Sequence, residues 1–292
     1  MAAGLAAFGF APILVRYAAD YSPMLVAAIR TIAAFLLLLP VYLVRRKKEK
    51  AQVAAITDDG IWVLAAGISL GIHFLLWIGS LYYTSVASAS VLVTINPILL
   101  IIAERMIFKV RFKGAVWIGV LVAFSGSALL GYSDYNTEST FANPLLGNMM
   151  ALSAAAIFVV YFLIGRKIRQ NRTWLGYVFP VYGYAALTCL AVLLIVEGIP
   201  SSLPLEVLLV GLGLAIGPQI MGHGSLNYAV KYVSPTLLST LVLTEPLIAT
   251  ILAFLFFGEW PELLALGAIV ITLAGVVLSW RKKPEHEADE QT

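Results

Sequence analysis

The stretch that decides the fold, residues 234–257, reads SPTLLSTLVLTEPLIATILAFLFF. It is long enough to cross a bilayer as a helix, which takes about 20 apolar residues. Glu245 lies near its middle and is followed directly by Pro246. A charge at that depth costs roughly 2.5–3.5 kcal/mol, and a proline removes one helical hydrogen bond. We therefore expect a broken membrane helix whose carboxylate faces protein or a water-filled cavity instead of lipid.

An earlier stretch, residues 85–108, repeats this pattern as SVASASVLVTINPILLIIAERMIF. In both stretches small polar residues precede an apolar run, a polar residue, a proline and a second apolar run. Pro97 thus corresponds to Pro246, and the same spacing separates Gly126 from Gly275. The chain is therefore expected to contain two copies of one unit.

The composition points to a protein that lies within a membrane. Of the 292 residues, 61% are hydrophobic and only 12% are charged, against about 25% charged residues in soluble domains. Cys189 is the one cysteine, which excludes an intramolecular disulfide and a cysteine-rich metal site. The sequence has no HExxH, Walker or GxSxG motif. We predict no enzyme activity, no cofactor, no metal and no nucleic-acid partner.

Ten apolar runs predict ten transmembrane helices in an all-α integral membrane protein. They span roughly residues 2–19, 23–44, 61–82, 86–107, 114–132, 145–165, 174–196, 205–227, 235–257 and 263–280. We expect residues 1–132 to form a first five-helix repeat, 133–144 an extracytoplasmic linker, 145–280 a second five-helix repeat, and 281–292 a cytoplasmic tail.

The charged residues predict how these helices are oriented. Nearly all of the 19 Lys and Arg residues fall on one side of the ten-helix topology, at residues 45–50, 105–113, 166–172, 231 and 281–283. That side is cytoplasmic by the positive-inside rule, so both termini are expected inside. Because each repeat has an odd number of spans, the two copies must be inverted relative to each other. Inverted repeats are typical of secondary transporters, which bind substrates near the midplane.

Polar residues inside the predicted spans are candidates for substrate binding or coupling, and deep aromatic residues are candidates for lining a cavity. The set is Arg30, His73, Trp77, Asn96, Tyr161, Tyr182, Gln219, His223 and Glu245, with Pro97 and Pro246 as helix-break residues. A carboxyl group buried among apolar residues holds its proton to higher pH than a solvated one. Glu245 therefore suits proton coupling or the binding of a substrate amine.

Structural roles compete with these functional ones. Glu245 could instead be a hydrogen-bonded helix-break residue paired with Arg30. Arg30 could anchor a substrate carboxylate, form a buried ion pair, or reach the outer surface. Glu104, near the basic end of the fourth span, is expected to pair with Arg105 or Lys109. Buried histidine and glutamine side chains more often join helices by hydrogen bonds than carry protons.

The ten spans, the five-span inverted repeat and Arg30 in the second span resemble the EamA-type drug/metabolite transporters, particularly their aromatic amino acid exporters. Residues 229–280 carry the most diagnostic part, AVKYVSPTLLSTLVLTEPLIATILAFLFFGEWPELLALGAIVITLAGVVLSW. This segment has Gly258-Glu259 at a helix end, where the first repeat has Lys109-Val110.

This resemblance implies a permease of the inner membrane, present as a monomer or homodimer in the lipid bilayer. It would move a small-molecule substrate such as an amino acid, often outward, by alternating access around a central cavity between the repeats. Two alternatives stay open at this point: a passive facilitator or channel for small solutes, and a permease for drugs or nucleotide-related metabolites.

Overall fold

The computed structural model describes residues 2–53, 59–84, 86–135, 143–257 and 263–280. Its helices are α1 Ala2–Tyr17, α2 Pro23–Val53, α3 Gly60–Ser80, α4 Val86–Val93, α5 Asn96–Ile107, α6 Gly114–Tyr135, α7 Pro144–Arg169, α8 Trp174–Val196, α9 Leu205–Leu214, α10 Gly224–Ala229, α11 Pro235–Val242, α12 Glu245–Phe257 and α13 Leu263–Trp280. A π-helical segment, Ala215–His223, joins α9 to α10. These ranges contain no strand. The predicted tail 281–292, Gly258-Glu259 and linker residues 136–142 lie outside the described residues.

Six described segments are long and apolar enough to cross a bilayer, judged by length and composition: Pro23–Arg45, Gly60–Ser80, Ser88–Ile107, Pro144–Arg169, Trp174–Val196 and Leu205–Ala229. Shorter apolar helices cover Ala2–Tyr17, Gly114–Leu129 and Leu266–Trp280. Large apolar side chains such as Val44 and Ile195 are more than four-fifths exposed, at 85% and 83%. Apolar surface of this extent is unfavourable in water. The predicted all-α, multi-pass membrane protein is confirmed at this level.

Two of the predicted spans are each divided into two shorter helices. The fourth is interrupted at Thr94 and Ile95, between α4 and α5, and the ninth between α11 and α12. Pro97 and Pro246 each occupy the second position of the helix that follows the break. A proline is tolerated there because its missing N–H would have had no partner within the helix. The breaks thus lie just before each proline, and Asn96 and Glu245 each begin a new helix.

Small residues allow α6 and α13 to pack closely. A Cβ atom added at Gly126 would lie 2.9 Å from the carbonyl oxygen of Ala268, and one added at Gly275 would lie 2.7 Å from the carbonyl oxygen of Gly119. Small residues let helix backbones approach each other in lipid. The early part of α6 meets the late part of α13, so the two helices are antiparallel.

The core lies between the helices that surround the middle of the bundle. Helix α3 contacts α7 and α8, α2 contacts α8 and α9, and α1 contacts the π-helical segment and α12. Buried aromatic side chains fill this core, among them Phe74, Phe158, Tyr161 and Tyr182. This packing brings residues distant in sequence to the two helix breaks.

Helix α5 ends in a turn that a glycine would form without strain. The backbone N–H of Val110 donates to the carbonyl oxygen of Glu104 at 3.3 Å, just beyond a left-handed residue of the kind that often ends a helix. That residue is Lys109, with φ of 55°. The second repeat has Gly258 at the corresponding position of the sequence.

Candidate functional site

A cavity of about 50 Å³ lies where α1, α2, α3 and α7 meet the π-helical segment and the two helix breaks. The predicted candidates on its wall are Arg30, His73, Trp77, Asn96, His223 and Glu245. About 10–15 Å³ of such space is enough for one water, so the cavity holds a few waters.

Arg30 belongs to α2, and its side chain is buried, with only 1% of its surface exposed. Its Nε donates to Oε1 of Gln219 at 3.1 Å, and its guanidinium carbon lies 3.9 Å from the ring centroid of Phe74. Its Nη1 donates to no group among the described residues. Arg30 therefore does not reach the surface, and it keeps donor capacity for an anionic group.

Glu245 faces the same cavity from the first position of α12 and is 7% exposed. Within the described part of the chain, no ion pair joins it to Arg30, so the predicted direct pairing is not found. The start of a helix favours a negative charge. At the matching position of α5, Asn96 is 6% exposed, and its Oδ1 accepts no hydrogen bond from the described residues.

Two histidines and their aromatic neighbours form one side of the cavity. The ring centroids of His73 and His223 lie 5.9 Å apart, and that of His223 lies 5.1 Å from both Phe8 and Phe74. His73 Nδ1 is 2.9 Å from the carbonyl oxygen of Ala154. A carbonyl oxygen can only accept, so we assign the proton to Nδ1, which makes Nε2 the acceptor in a neutral ring.

Three predicted candidates lie behind the wall. Gln219 bonds with Arg30 through its side chain. Tyr182 donates its hydroxyl hydrogen to the carbonyl oxygen of Gln219 at 2.6 Å. Tyr161 accepts a hydrogen bond from Nδ2 of Asn227. These side chains support cavity residues and do not line the cavity themselves.

Sequence reasoning missed several wall residues and the π-helical segment. Phe8, Phe74 and Phe158 line the cavity, although they resemble ordinary lipid-facing residues in the sequence. Pro218 lies inside the π-helical segment, a backbone form that occurs frequently at functional sites. A proline in the middle of the eighth predicted span was the available signal for that irregularity.

The predicted pairing of Glu104 with Arg105 or Lys109 is wrong. Glu104 is fully buried, and its Oε1 lies 3.2 Å from Nη1 of Arg166. Its Oε2 accepts hydrogen bonds from the backbone N–H of Thr236, at 2.9 Å, and from the hydroxyl of the same residue. Neighbouring residues on a helix point in different directions, and Lys109 lies beyond the helix end, so neither predicted partner was suitably placed.

Comparisons with known proteins find similarity to transporters. The profile of the EamA-like transporter family matches residues 1–132 and 145–281. An uncharacterized transporter of Clostridium kluyveri is 27% identical over 262 residues, covering 88% of this chain and 83% of the relative. A probable terminal-alkyne amino-acid exporter of Streptantibioticus cattleyicolor is 26% identical over 208 residues, covering 67% of this chain and 64% of the relative.

A solved crystal structure shares the fold. It is 18% identical, with a TM-score of 0.76, and the alignment covers 95% of this chain and 94% of the other. At this identity the likeness concerns the fold alone. The family match extends over most of the sequence, and the relatives are named as transporters. The chain therefore belongs to the EamA-like transporter family.

Proposed function

We propose that this protein is a secondary transporter that exports small organic metabolites such as amino acids. One observation carries the proposal: a buried cation, Arg30, and a buried carboxyl group, Glu245, face one cavity without pairing with each other. A zwitterion satisfies both, with its carboxylate at Arg30 and its ammonium group at Glu245. The likeness to a probable amino-acid exporter supports this substrate class.

The proposed architecture is ten transmembrane helices in two inverted repeats, residues 1–132 and 145–280, with a linker at 133–144 and a cytoplasmic tail at 281–292. The seam between α6 and α13 supports it. Gly126 corresponds to Gly275, and Gly119 to Ala268. The contact of Gly126 with Ala268 is therefore matched by the contact of Gly275 with Gly119, as a two-fold axis across antiparallel helices requires.

The proposed mechanism is alternating access around the central cavity. The breaks beside Asn96 and Glu245 supply points where half-helices can tilt. Glu245 also suits proton coupling, because a carboxyl group can exchange a proton for a substrate amine. The distribution of Lys and Arg supports an inner-membrane location with both termini cytoplasmic. We expect a monomer or homodimer.

Ligand binding and flux test the proposal in two stages. Detergent-purified protein would be heated with amino acids, nucleobase compounds or cationic drugs, because a ligand that binds only the folded state raises the Tm. We expect amino acids to raise the Tm of the native protein and not that of Glu245→Gln. Proteoliposomes then separate a coupled carrier, which accumulates substrate when a proton gradient is imposed, from a passive facilitator, which only equilibrates it. A shift by nucleobase compounds or drugs alone would reject the amino-acid assignment.

A further inference from the structure

The carboxylate of Glu104 joins three helices at one end of the bundle. It lies in the last turns of α5, fully buried. One oxygen forms an ion pair with Arg166, near the end of α7, and the other accepts two hydrogen bonds from Thr236, in the first turn of α11. A buried carboxylate is unfavourable unless it is paired and hydrogen-bonded, so Glu104 keeps these three helix ends together.

The three helices come from the two matched halves of the chain. Helix α5 belongs to the first matched region, and α7 and α11 belong to the second. In addition, α5 and α11 are half-helices, and the break at the far end of each lies beside a cavity residue, Asn96 and Glu245 respectively. Separating the helices at Glu104 would therefore move the two breaks that border the cavity.

The opposite end of the bundle is tied in a different way. There, the hydroxyl of Tyr21 donates to Oε2 of Glu206 at 2.9 Å, and the hydroxyl of Ser22 donates to Glu197, and both bonds are exposed. The part-buried hydroxyl of Tyr82 also lies within 2.9 Å of two backbone carbonyl oxygens at this end. Exposed polar contacts exchange easily with water and contribute little. A buried carboxylate that loses a partner costs far more. The two ends therefore differ in the polar contacts that join their helices: a buried, paired carboxylate at one, and exposed or part-buried hydroxyl bonds at the other.

We propose that Glu104, Arg166 and Thr236 form a latch that holds one end of the transporter closed. Glu104 acts as a positioning residue: it binds no substrate and controls when the cavity opens at the end where α5 and α7 terminate. This is the cytoplasmic end in the orientation proposed above, and the inference rests on that proposed function. Release of the latch has to accompany loading of the substrate from this end.

Side-specific labelling tests the latch without any substrate. The buried native cysteine is first removed by Cys189→Ala. Val242→Cys then places a single thiol on the cavity wall. A membrane-impermeant maleimide is then applied to inside-out and to right-side-out vesicles. We expect Glu104→Gln to raise the labelling rate from the latch side by about tenfold, within the usual range of coupling effects. Glu206→Gln, an exposed carboxylate at the other end, is the matched control and should leave that rate unchanged.

Arg166 is a second site for the test. It should tolerate substitution better than Glu104, because its side chain is 28% exposed. Arg166→Gln should raise the labelling rate as Glu104→Gln does. The double variant should label no faster than either single variant, because both substitutions remove the same ion pair. Unchanged labelling in folded Glu104→Gln and Arg166→Gln protein would overturn the latch. Increased labelling of the variants, together with absent flux in the native protein, would keep the latch and reject the transport function.

Discussion

Arg30 in α2 donates through Nε to the side-chain oxygen of Gln219, at 3.1 Å, in the π-helical segment. The acceptor is a neutral amide, so the guanidinium group is held in place without being neutralised. Its face lies against Phe74, which further fixes its direction. The positive charge is therefore available to a ligand in the cavity.

Replacing Arg30 tests this arrangement directly. Arg30→Ala should abolish flux, and Arg30→Lys should reduce it strongly, because an ammonium group cannot donate to Gln219 and stack on Phe74 with the planar geometry of guanidinium. The measurement is initial flux into proteoliposomes at equal protein content. Arg105→Ala, which removes an exposed arginine, should transport normally. Full activity in Arg30→Ala would remove this residue from the mechanism.

Glu245→Gln should abolish proton-coupled transport without disturbing the fold. Glutamine has nearly the same shape as a protonated glutamate, so we expect the variant to insert and to elute as the native protein does. It should fail to accumulate substrate when a proton gradient is imposed, since it has no exchangeable carboxyl proton. The check is accumulation with and without the gradient. Gradient-driven accumulation at the native level would show that the proton is carried elsewhere.

The charged candidates could be predicted because they are visible locally. A single charge within an apolar run, as at Arg30 or Glu245, is costly in lipid and stands out without any knowledge of the fold. The proline after Glu245 likewise indicates an irregular helix. Such signals depend only on neighbouring residues.

The partners of these groups depend on tertiary packing and could not be predicted. Glu104 has basic residues beside it in the sequence, yet it binds Arg166 and Thr236, because helix geometry directs its side chain towards α7 and α11. Gln219 similarly meets Arg30 only through the packing of α2 against the π-helical segment. Sequence spacing within one helix holds no information about such contacts.

Tyr182 offers a test of the supporting layer behind the cavity. Tyr182→Phe removes one of the two hydrogen bonds that the carbonyl oxygen of Gln219 accepts, the other coming from the backbone N–H of Gly224. The loss of one such bond costs about 0.5–1.5 kcal/mol. We expect a lower Tm and weaker substrate binding, because Gln219 orients Arg30. Tyr184→Phe, on the same helix but 36% exposed, is the matched control and should change neither quantity. Equal effects of the two substitutions would argue against a supporting role.

The seam between α6 and α13 predicts a contrast between two glycines of one helix. In Gly275→Ala the new methyl group would meet the backbone nitrogen of Ala123 and lie 2.7 Å from the carbonyl oxygen of Gly119. Both are backbone atoms, so relief requires the helices to separate. Overpacking of this kind costs about 1–3 kcal/mol, and we expect a clearly lower Tm in detergent.

Gly267→Ala is the control for this prediction, because a Cβ there meets nothing within 4 Å. Alanine also favours a helix over glycine by up to about 1 kcal/mol, so the Tm of this variant should stay the same or rise. If the two halves are related as proposed, Gly126→Ala should resemble Gly275→Ala, since its Cβ would lie 2.9 Å from the carbonyl oxygen of Ala268. A tolerant Gly126 beside an intolerant Gly275 would mean that the two sides of the seam are not equivalent, and would weaken the case for an inverted repeat.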